Sequence, residues 1–281
     1  MKTLFLTTVF LAAIVRTGLA LDLEPIGVYE TGVFDEGAAE IVAFHAPSTR
    51  LYIVNGNLPG IDVVDLSNPA DPEHLRSIPF EGGEGVQSVA ISGDLVAVAV
   101  SAEEASDPGR IVFFDPNGEE LGAVTVGPLP DMVAFSPDGS FLLSANEGEP
   151  SDDYSVDPEG SISLVRIPAD PSAGFPAAVH LRFGEFRNPP EGTHLGNPSS
   201  SLAQNLEPEY IAFASDGSRA LVTLQESNAI AIVDTSVPRI SKIVGLGFKD
   251  HRVHPLDASN RDGGINLRTW PVFGLYQPDT I

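Results

Sequence analysis

Short runs of apolar residues, either continuous or alternating with polar ones, follow one another along the chain after residue 20. Turn-forming sequences such as Ser136-Pro137-Asp138-Gly139 separate them, a combination that is typical of β-strands rather than helices. Four of the runs align with each other, at residues 41–44, 88–91, 132–135 and 210–213. Each holds an alanine at the same position, and successive alanines are 47, 44 and 78 residues apart. The pattern therefore predicts four repeats, the last of them preceded by an insertion.

Three further strands are predicted in every repeat. The second strands lie at residues 51–54, 95–100, 141–145 and 220–224, the third at 61–65, 111–115, 161–167 and 229–234, and the weaker fourth at 75–80, 121–126, 180–183 and 241–246. Four antiparallel strands in a repeat of about 40–50 residues are typical of a β-propeller blade. A β-sandwich is the rival fold, but it gives no reason for one strand-turn-strand signature to occur four times. We therefore expect an all-β chain with blades near residues 40–80, 86–127, 129–183 and 207–247.

The last residues of the chain repeat an earlier signature. Tyr276-Gln277-Pro278-Asp279 resembles the segments with Pro130-Asp131 and Pro208-Glu209 that open the third and fourth repeats. Residues 248–281 are therefore predicted to form a loop and the first strand of a fifth blade. Four blades and one strand do not close a typical ring, and an open array exposes strand edges. We expect an incomplete propeller whose remaining blades belong to a longer product; a truncated gene product without independent function is the alternative.

The first twenty residues have the features of a secretory signal peptide. Lys2 is followed by an apolar run at residues 4–15, and small residues precede a cleavage site after Ala20. The apolar run is too short to span a bilayer, and no longer one follows, so no membrane span is expected in this chain. The predicted localisation is secreted, whether periplasmic, extracellular or at the cell surface. Cysteine is absent, so stability must come from a hydrophobic core, bound metal or both.

The net charge of the chain limits the classes of partner that it is expected to bind. Thirty-nine acidic residues stand against fifteen basic ones, for a formal net charge of −24. Nucleic-acid binding requires a basic surface, so nucleic acids are excluded as partners. A surface this acidic suits cations instead.

The densest group of acidic residues lies between the second and third strands of the third repeat. Residues 146–160 contain six carboxylates and no base. Calcium prefers six to eight oxygen ligands, and repulsion within such a group is relieved by a cation. A solvated acidic loop is the alternative, and the spacing does not match an EF-hand. We predict calcium as a cofactor, with these candidate metal ligands: Glu147, Glu149, Asp152, Asp153, Asp157 and Glu159.

Several other loops are expected on the same face of the propeller. Because strand direction alternates within a blade, the loop after the second strand lies on the same side as the segment that leads into the first strand. Arg268 is the candidate for holding an anion, although a salt bridge to one of the many acids would also explain it. The predicted ligand-binding face comprises Asn146, Glu207, Glu209, Glu226, Asn228, Asp250, Asp257, Asp262 and Arg268.

Three stretches of the sequence resemble a known family. They are residues 145–160, with Ala145-Asn146-Glu147-Gly148-Glu149-Pro150; residues 206–229, with Leu206-Glu207-Pro208-Glu209-Tyr210; and residues 246–279, with Arg268-Thr269-Trp270-Pro271. Together they resemble the choice-of-anchor I family of secreted bacterial β-propellers, which are related to mesenchyme-specific cell-surface glycoproteins of animals. The resemblance implies a secreted or surface-anchored propeller, longer than this chain, and an alkaline-phosphatase-like activity as an alternative function.

Two functions follow from these observations. The first is a calcium-binding extracellular propeller that acts as a binding or interaction module. The second is a metal-dependent phosphoesterase in which Arg268 meets the phosphate of an ester substrate. No nucleophile with an adjacent base, zinc-binding histidine set, Walker loop or dinucleotide fingerprint occurs in the sequence. The catalytic residues stay unknown, and the sequence favours the first function.

Overall fold

The computed structural model describes residues 23–34, 39–80, 85–151 and 153–281. The predicted signal peptide at residues 1–20 lies outside the described residues, and so does Asp152. In the described part of the chain, no helix is long and apolar enough to cross a membrane.

Within these ranges the chain forms four four-stranded antiparallel sheets, each built from strands that follow one another in sequence. Blade 1 contains β1 (Val42–His45), β2 (Arg50–Asn55), β3 (Gly60–Asp65) and β4 (Glu73–Pro79). Blade 2 contains β5 (Val86–Ser92), β6 (Leu95–Val100), β7 (Pro108–Phe114) and β8 (Glu120–Pro128). Blade 3 contains β9 (Pro130–Phe135), β10 (Phe141–Asn146), β11 (Ser161–Arg166) and β12 (Val179–Arg182). Blade 4 contains β13 (Pro208–Phe213), β14 (Arg219–Leu224), β15 (Ala229–Asp234) and β16 (Arg239–Gly245).

The other elements of the described residues are short. One turn of helix, α1 (Leu202–Asn205), precedes blade 4, and 3₁₀ turns occur at Ala46–Ser48 and Pro171–Ala173. After blade 4, β17 (Lys249–Asp250) pairs with β18 (Phe273–Gly274). The predicted all-β propeller class and the number of blades are confirmed.

Aspartate and glycine fix the tight turns between the first and second strands of blades 3 and 4. In blade 3, Asp138 Oδ1 accepts hydrogen bonds from Ser136 Oγ at 2.7 Å and from Ser140 N at 3.0 Å. Gly139 has a φ of +69°, and Gly217 in the matching turn of blade 4 has the same value. Glycine adopts this left-handed conformation without steric cost. The Asp-Gly signature therefore marks where the chain reverses.

Three hydrophobic cores lie between consecutive blades. The core between blades 1 and 2 contains Tyr52 and Phe114. Phe113 belongs to the core between blades 2 and 3, and Phe183 to the core between blades 3 and 4. Phe113 and Phe114 enter different cores because neighbouring side chains of a strand point to opposite faces. The alternation predicted from the sequence thus places each blade between two apolar layers.

The first strands of the four blades pack side by side around a groove of about 1000 Å³. Their repeated alanine faces the next blade: Ala43 packs against the core shared with blade 2, and Ala90 against the core shared with blade 3. Ala134 packs in the same way against the core shared with blade 4. A small side chain at this position lets neighbouring first strands approach closely.

The face of blade 1 that points away from blade 2 is open at its inner edge. Val42 is 55% exposed, whereas the equivalent residues of the other three blades, Val89, Val133 and Ile211, are 5%, 2% and 3% exposed. In blades 2 to 4 a preceding blade covers this position, and in blade 1 no described residue does so to the same extent. The array of four blades is therefore an open one.

The last residues of the chain return to the groove. Tyr276 N and Gln277 N donate hydrogen bonds to Asn228 Oδ1 at 2.7 and 3.2 Å. Asp279 and Thr280 then line the groove. Residues 275–281 do not form a strand here, so the fifth blade stays a prediction.

Candidate functional site

One polar side chain from each blade lines the groove, three residues before the repeated alanine. Glu40, Gln87, Asp131 and Glu209 occupy this position, and Asp279 follows a proline as Asp131 and Glu209 do. In β5, β9 and β13 the strand pairing is interrupted by a β-bulge at this point. Bulges re-aim side chains and are frequent beside functional sites. Local backbone geometry thus directs a polar group of blades 2, 3 and 4 toward the axis.

Blades 3 and 4 add three more carboxylates at the same end of the groove. Glu147 follows β10, Glu207 precedes β13, and Glu226 lies in the turn between β14 and β15. Because β10 and β14 run antiparallel to β9 and β13, they end where those strands begin. We call Asp131, Glu147, Glu207, Glu209 and Glu226 the axial cluster.

Burial and mutual repulsion raise the pKa values of four carboxylates of this cluster: Asp131, Glu147, Glu207 and Glu209. Burial first, and then the charge of nearby Asp131, raise the pKa of Glu147 to about 8. Burial, followed by a hydrogen bond with Glu226, raises the pKa of Glu209 to about 9. Burial and neighbouring carboxylates raise the pKa of Glu207 to about 7 and that of Asp131 to about 6. At neutral pH the axial cluster therefore retains protons.

No base neutralises the axial cluster in the described residues. The ion pairs found there involve other carboxylates, and none joins a cluster member to Lys, Arg or His. Nor do any three acidic or histidine side chains of the described residues stand in an arrangement ready to hold a metal ion. Carboxylates that share a partly buried site keep protons unless an opposite charge is supplied. The cluster is thus set up either to hold protons or to exchange them for a cation.

A small polar cavity of about 100 Å³ adjoins the cluster. Glu207 and Glu226 line it together with Asp157. Ser200 Oγ donates a hydrogen bond of 2.5 Å to Asp157 Oδ2, and Gln204 Nε2 donates one of 2.7 Å to the carbonyl oxygen of Asp157. Gln204 is held in turn by the capping box of α1 with Ser201. The insertion before blade 4 therefore forms the wall that positions Asp157.

The six candidate metal ligands of the acidic loop do not lie together in the structure. Glu147 belongs to the axial cluster, Glu149 lies close enough to contribute to its electrostatics, and Asp157 lines the adjoining cavity. Asp153 is exposed at the tip of the loop, where its Oδ1 accepts hydrogen bonds from Ser151 Oγ and Ser155 N, both at 3.0 Å. Glu159 lies at a separate cleft between blades 2 and 3. Asp152 is outside the described residues.

Asp131, Asp279 and Glu40 were not among the site residues predicted from the sequence. A signal for them existed, because each stands three residues before the repeated alanine or directly after the repeated proline. Alignment of the repeats located the strands, but side chains facing the axis cannot be told from the rest of a strand without knowledge of the bulges.

Comparison with known proteins identifies the family. The sequence model of the choice-of-anchor I domain matches residues 40–281. The chain belongs to the choice-of-anchor I family. This membership confirms the resemblance noted in the sequence and indicates a cell-surface or secreted protein. No curated protein sequence matches the chain.

Solved structures match the choice-of-anchor I chain at low sequence identity. A protein from Lactobacillus plantarum matches with a TM-score of 0.52 and 15% identity, over 74% of this chain and 57% of its own. The β-propeller domain of Cps50 (Swd1) from Myceliophteria thermophila matches with a TM-score of 0.49 and 14% identity, over 75% and 56%. A chain of a nidogen/laminin complex matches with a TM-score of 0.47 and 13% identity, over 75% and 65%. The matched region thus corresponds to less than two thirds of each of these chains.

Several residues predicted on the ligand-binding face of the choice-of-anchor I chain have structural contacts. Asn146 is buried and donates to Ser161 Oγ and Ser163 Oγ at 3.2 and 2.9 Å. Asn228, with a φ of +51°, donates to the carbonyl oxygens of Gly192 and Gly247. Asn146 thus ties the end of β10 to β11, and Asn228 holds the loops at Gly192 and Gly247, so both support the site without lining the groove.

The remaining predicted residues of that face lie in the excursion between blade 4 and the groove. Asp250 pairs with Arg252 at 2.8 Å, Asp257 accepts backbone hydrogen bonds, and Asp262 is exposed. The guanidinium of Arg268 lies 3.9 Å over the ring of Trp270, and no ion pair of Arg268 occurs among the described residues. The phosphoesterase alternative, which relies on Arg268, stays a prediction.

Proposed function

We propose that this chain is an extracellular binding module whose axial cluster holds a calcium ion. The observation that carries the proposal is the convergence of five carboxylates, supplied by separate strands and loops of blades 3 and 4, with no base beside them. Groups held at raised pKa exchange their protons for a cation when one is present. Calcium accepts six to eight oxygen ligands in flexible geometry, which suits carboxylates drawn together by the ion itself.

Calcium would join parts of the chain that otherwise repel each other. The axial cluster takes Asp131 and Glu147 from blade 3, and Glu209 and Glu226 from blade 4. Asp279, at the end of the chain, contributes to the same electrostatic field. A cation at this point supports the inner edge of the blade array in a protein that has no disulfides.

The binding surface in this proposal is the central groove. Its volume of about 1000 Å³ and the ring of polar side chains at its mouth give a concave surface of the kind that holds ligands. We also propose that residues 1–20 direct secretion of the chain. We further propose that additional blades cover the open face of blade 1 at Val42.

Thermal unfolding of the full chain, followed by circular dichroism at pH 7.5 in calcium or in chelator, tests the calcium site. We expect calcium to raise the melting temperature by several degrees, because a ligand that binds only the folded state stabilises it. Substitution Glu226→Gln should reduce this shift to less than half. The matched control is Asp153→Asn, at the loop tip, which should leave the shift unchanged.

Proton release provides an independent measurement. Calorimetric titration with calcium in two buffers of different ionisation enthalpy should show protons leaving the protein on binding. If calcium leaves the melting temperature of the parent chain, Glu226→Gln and Asp153→Asn unchanged, and no heat of binding is measured, then the axial cluster does not bind calcium. The cluster then only holds protons. Equal shifts for Glu226→Gln and the parent would place the ion elsewhere.

A further inference from the structure

A second cleft lies between blades 2 and 3, away from the axial cluster. Its volume is about 340 Å³, within the range of small-molecule sites. The walls carry hydroxyl groups from Ser106, Thr125 and Ser161, together with the side chains of His180 and Arg182. Nothing in the calcium proposal uses these residues.

A buried hydrogen-bond network orients His180 in this cleft. Ser144 Oγ donates to Asn146 Oδ1 at 2.8 Å, and Asn146 Nδ2 donates to Ser163 Oγ at 2.9 Å. Ser163 Oγ is hydrogen-bonded to His180 Nδ1 at 3.1 Å. Ser163 Oγ accepts from Asn146, and its own hydrogen has Nδ1 within reach; with that hydrogen directed at Nδ1, the ring carries its proton on Nε2. Asn146 also donates to Ser161 Oγ at 3.2 Å, so the same network positions a hydroxyl of the cleft.

The surroundings of His180 favour the neutral ring over the imidazolium cation. Burial first, and then the positive charge of Arg182, lower the pKa of His180. The full positive charge of the cleft is therefore that of Arg182, two residues further along β12. On this strand both side chains point to the same face of the sheet.

Arg182 has no carboxylate partner among the described residues, although the chain is strongly acidic. Glu159 lines the same cleft but does not form an ion pair with it. The guanidinium therefore keeps its donors free for a ligand. A guanidinium is suited to bind a carboxylate through two parallel hydrogen bonds.

We propose that this cleft binds a carboxylated sugar, with Arg182 holding the carboxylate. Glu159 then accepts hydrogen bonds from sugar hydroxyls, while Ser161 and His180 Nε2 donate to sugar oxygens. Pro108, Pro128 and Pro158 supply apolar surface against which the carbon face of a sugar ring packs. The combination of one unpaired cation, one unpaired acceptor and several hydroxyls matches a uronic acid better than a simple anion, which has no use for the acceptor.

Saturation-transfer NMR of the full chain with D-glucuronate tests the proposal. We expect glucuronate to bind, and D-glucose, which has a hydroxymethyl group in place of the carboxylate, to bind at least about tenfold more weakly. Substitution Arg182→Gln should weaken glucuronate binding by a similar factor without changing the affinity for glucose. Arg182 is exposed, so the variant is expected to fold, and its melting temperature checks this.

Arg166 provides the matched control, because it is also an exposed arginine of blade 3 but stands at the opposite end of β11 from Ser161. Arg166→Gln should bind glucuronate like the parent chain. Equal binding of glucose and glucuronate, no binding of either, or equal losses in the two arginine variants would each overturn the proposal. Inorganic sulfate that binds more tightly than glucuronate would also overturn it, since a simple anion site would then be sufficient.

A linear trisaccharide of glucuronate distinguishes a free sugar acid from a residue of an acidic glycan. A trisaccharide that binds several-fold more tightly than the monomer supports the glycan as the source. Equal affinities, or weaker binding of the trisaccharide, support the free acid. In both cases the cleft binds a carboxylated sugar, and in both cases Arg182→Gln should weaken the binding.

Discussion

Glu147 and Asp153 lie in the same loop, which follows β10, but their pKa values are shifted in opposite directions. At its base, Glu147 is partly buried, and burial with neighbouring carboxylates raises its pKa to about 8. At its tip, Asp153 is exposed, and hydrogen bonds from Ser155 and Ser151 hold its pKa below the ordinary value. Sequence composition treats the two residues alike. What separates them is whether the side chain meets other carboxylates at the propeller axis or donors of its own turn.

A third acidic region supports the same lesson. The loop between β6 and β7 of blade 2 contains Glu103, Glu104 and Asp107, all of them exposed. It follows a second strand just as the loop of blade 3 does, yet its carboxylates do not take part in the axial cluster. Acidic character is therefore not enough to make a site. The side chain must also be brought close to the other carboxylates at the starts of β9 and β13.

The largest effect that follows from this contrast is a loss of stability with rising pH when calcium is absent. For four carboxylates of the axial cluster the folded pKa values, about 6 to 9, lie above the ordinary carboxyl values of 3.8 and 4.5; they are Asp131, Glu147, Glu207 and Glu209. The stability from these groups is complete below the unfolded pKa and is lost as pH rises through the folded values. In chelator, the melting temperature should fall between pH 5 and pH 9 by on the order of 5 °C.

The measurement is a series of thermal melts in chelator and in calcium across that pH range. Calcium should flatten the high-pH part of the curve, because the ion then replaces the protons. A melting temperature that rises steadily from pH 5 to pH 9 in chelator would show that the cluster is ionised in the folded state, contrary to the geometry described here.

A smaller effect is expected from Glu209→Gln in chelator. The amide keeps the shape of the protonated side chain and donates to Glu226, but it has no proton to lose. At pH 9 the variant should therefore melt about 2–4 °C above the parent chain. At pH 5 the two proteins should melt together, and a variant that is less stable at both pH values would contradict a protonated Glu209.

The smallest effect is expected at the loop tip. Asp153→Asn removes a carboxylate that accepts local hydrogen bonds while exposed to water, so the melting temperature at pH 7 should change by at most about 2 °C. The lowered pKa of Asp153 means that any stability it contributes is present above its unfolded pKa and is lost as pH falls through the folded one. The variant should therefore differ from the parent at pH 7 and match it at pH 2–3. A change as large as that of Glu209→Gln would remove the distinction between base and tip.

Much of the fold could be predicted from the sequence because its signals are local. The alternation of apolar and polar residues located the strands, and Asp138-Gly139 and Asp216-Gly217 located turns that the structure contains. The repeated alanine correctly identified the first strand of each blade. These features depend on residues close together in the chain, so one sequence is enough to recognise them.

The candidate site could be predicted only in part. Glu147, Glu207, Glu209 and Glu226 were expected on one face and do lie together in the axial cluster. Asp131 was missed, since its orientation depends on a bulge in β9 opposite β10. Bulges change the side-chain direction of a single residue without altering the surrounding pattern of apolar positions.

The sequence by itself determined the class of fold, the four blades of the described residues and the excess of negative charge, because periodicity, turn chemistry and composition are local or additive. The family followed from three long stretches that resemble it, and the family model over residues 40–281 confirms it. Only the tertiary structure decided which carboxylates share a site. Glu147 and Glu226 are distant in sequence and meet because the packing of blades 3 and 4 fixes where β10 and β14 end. The strength of their interaction depends on burial and distance, and neither quantity exists before the blades have packed.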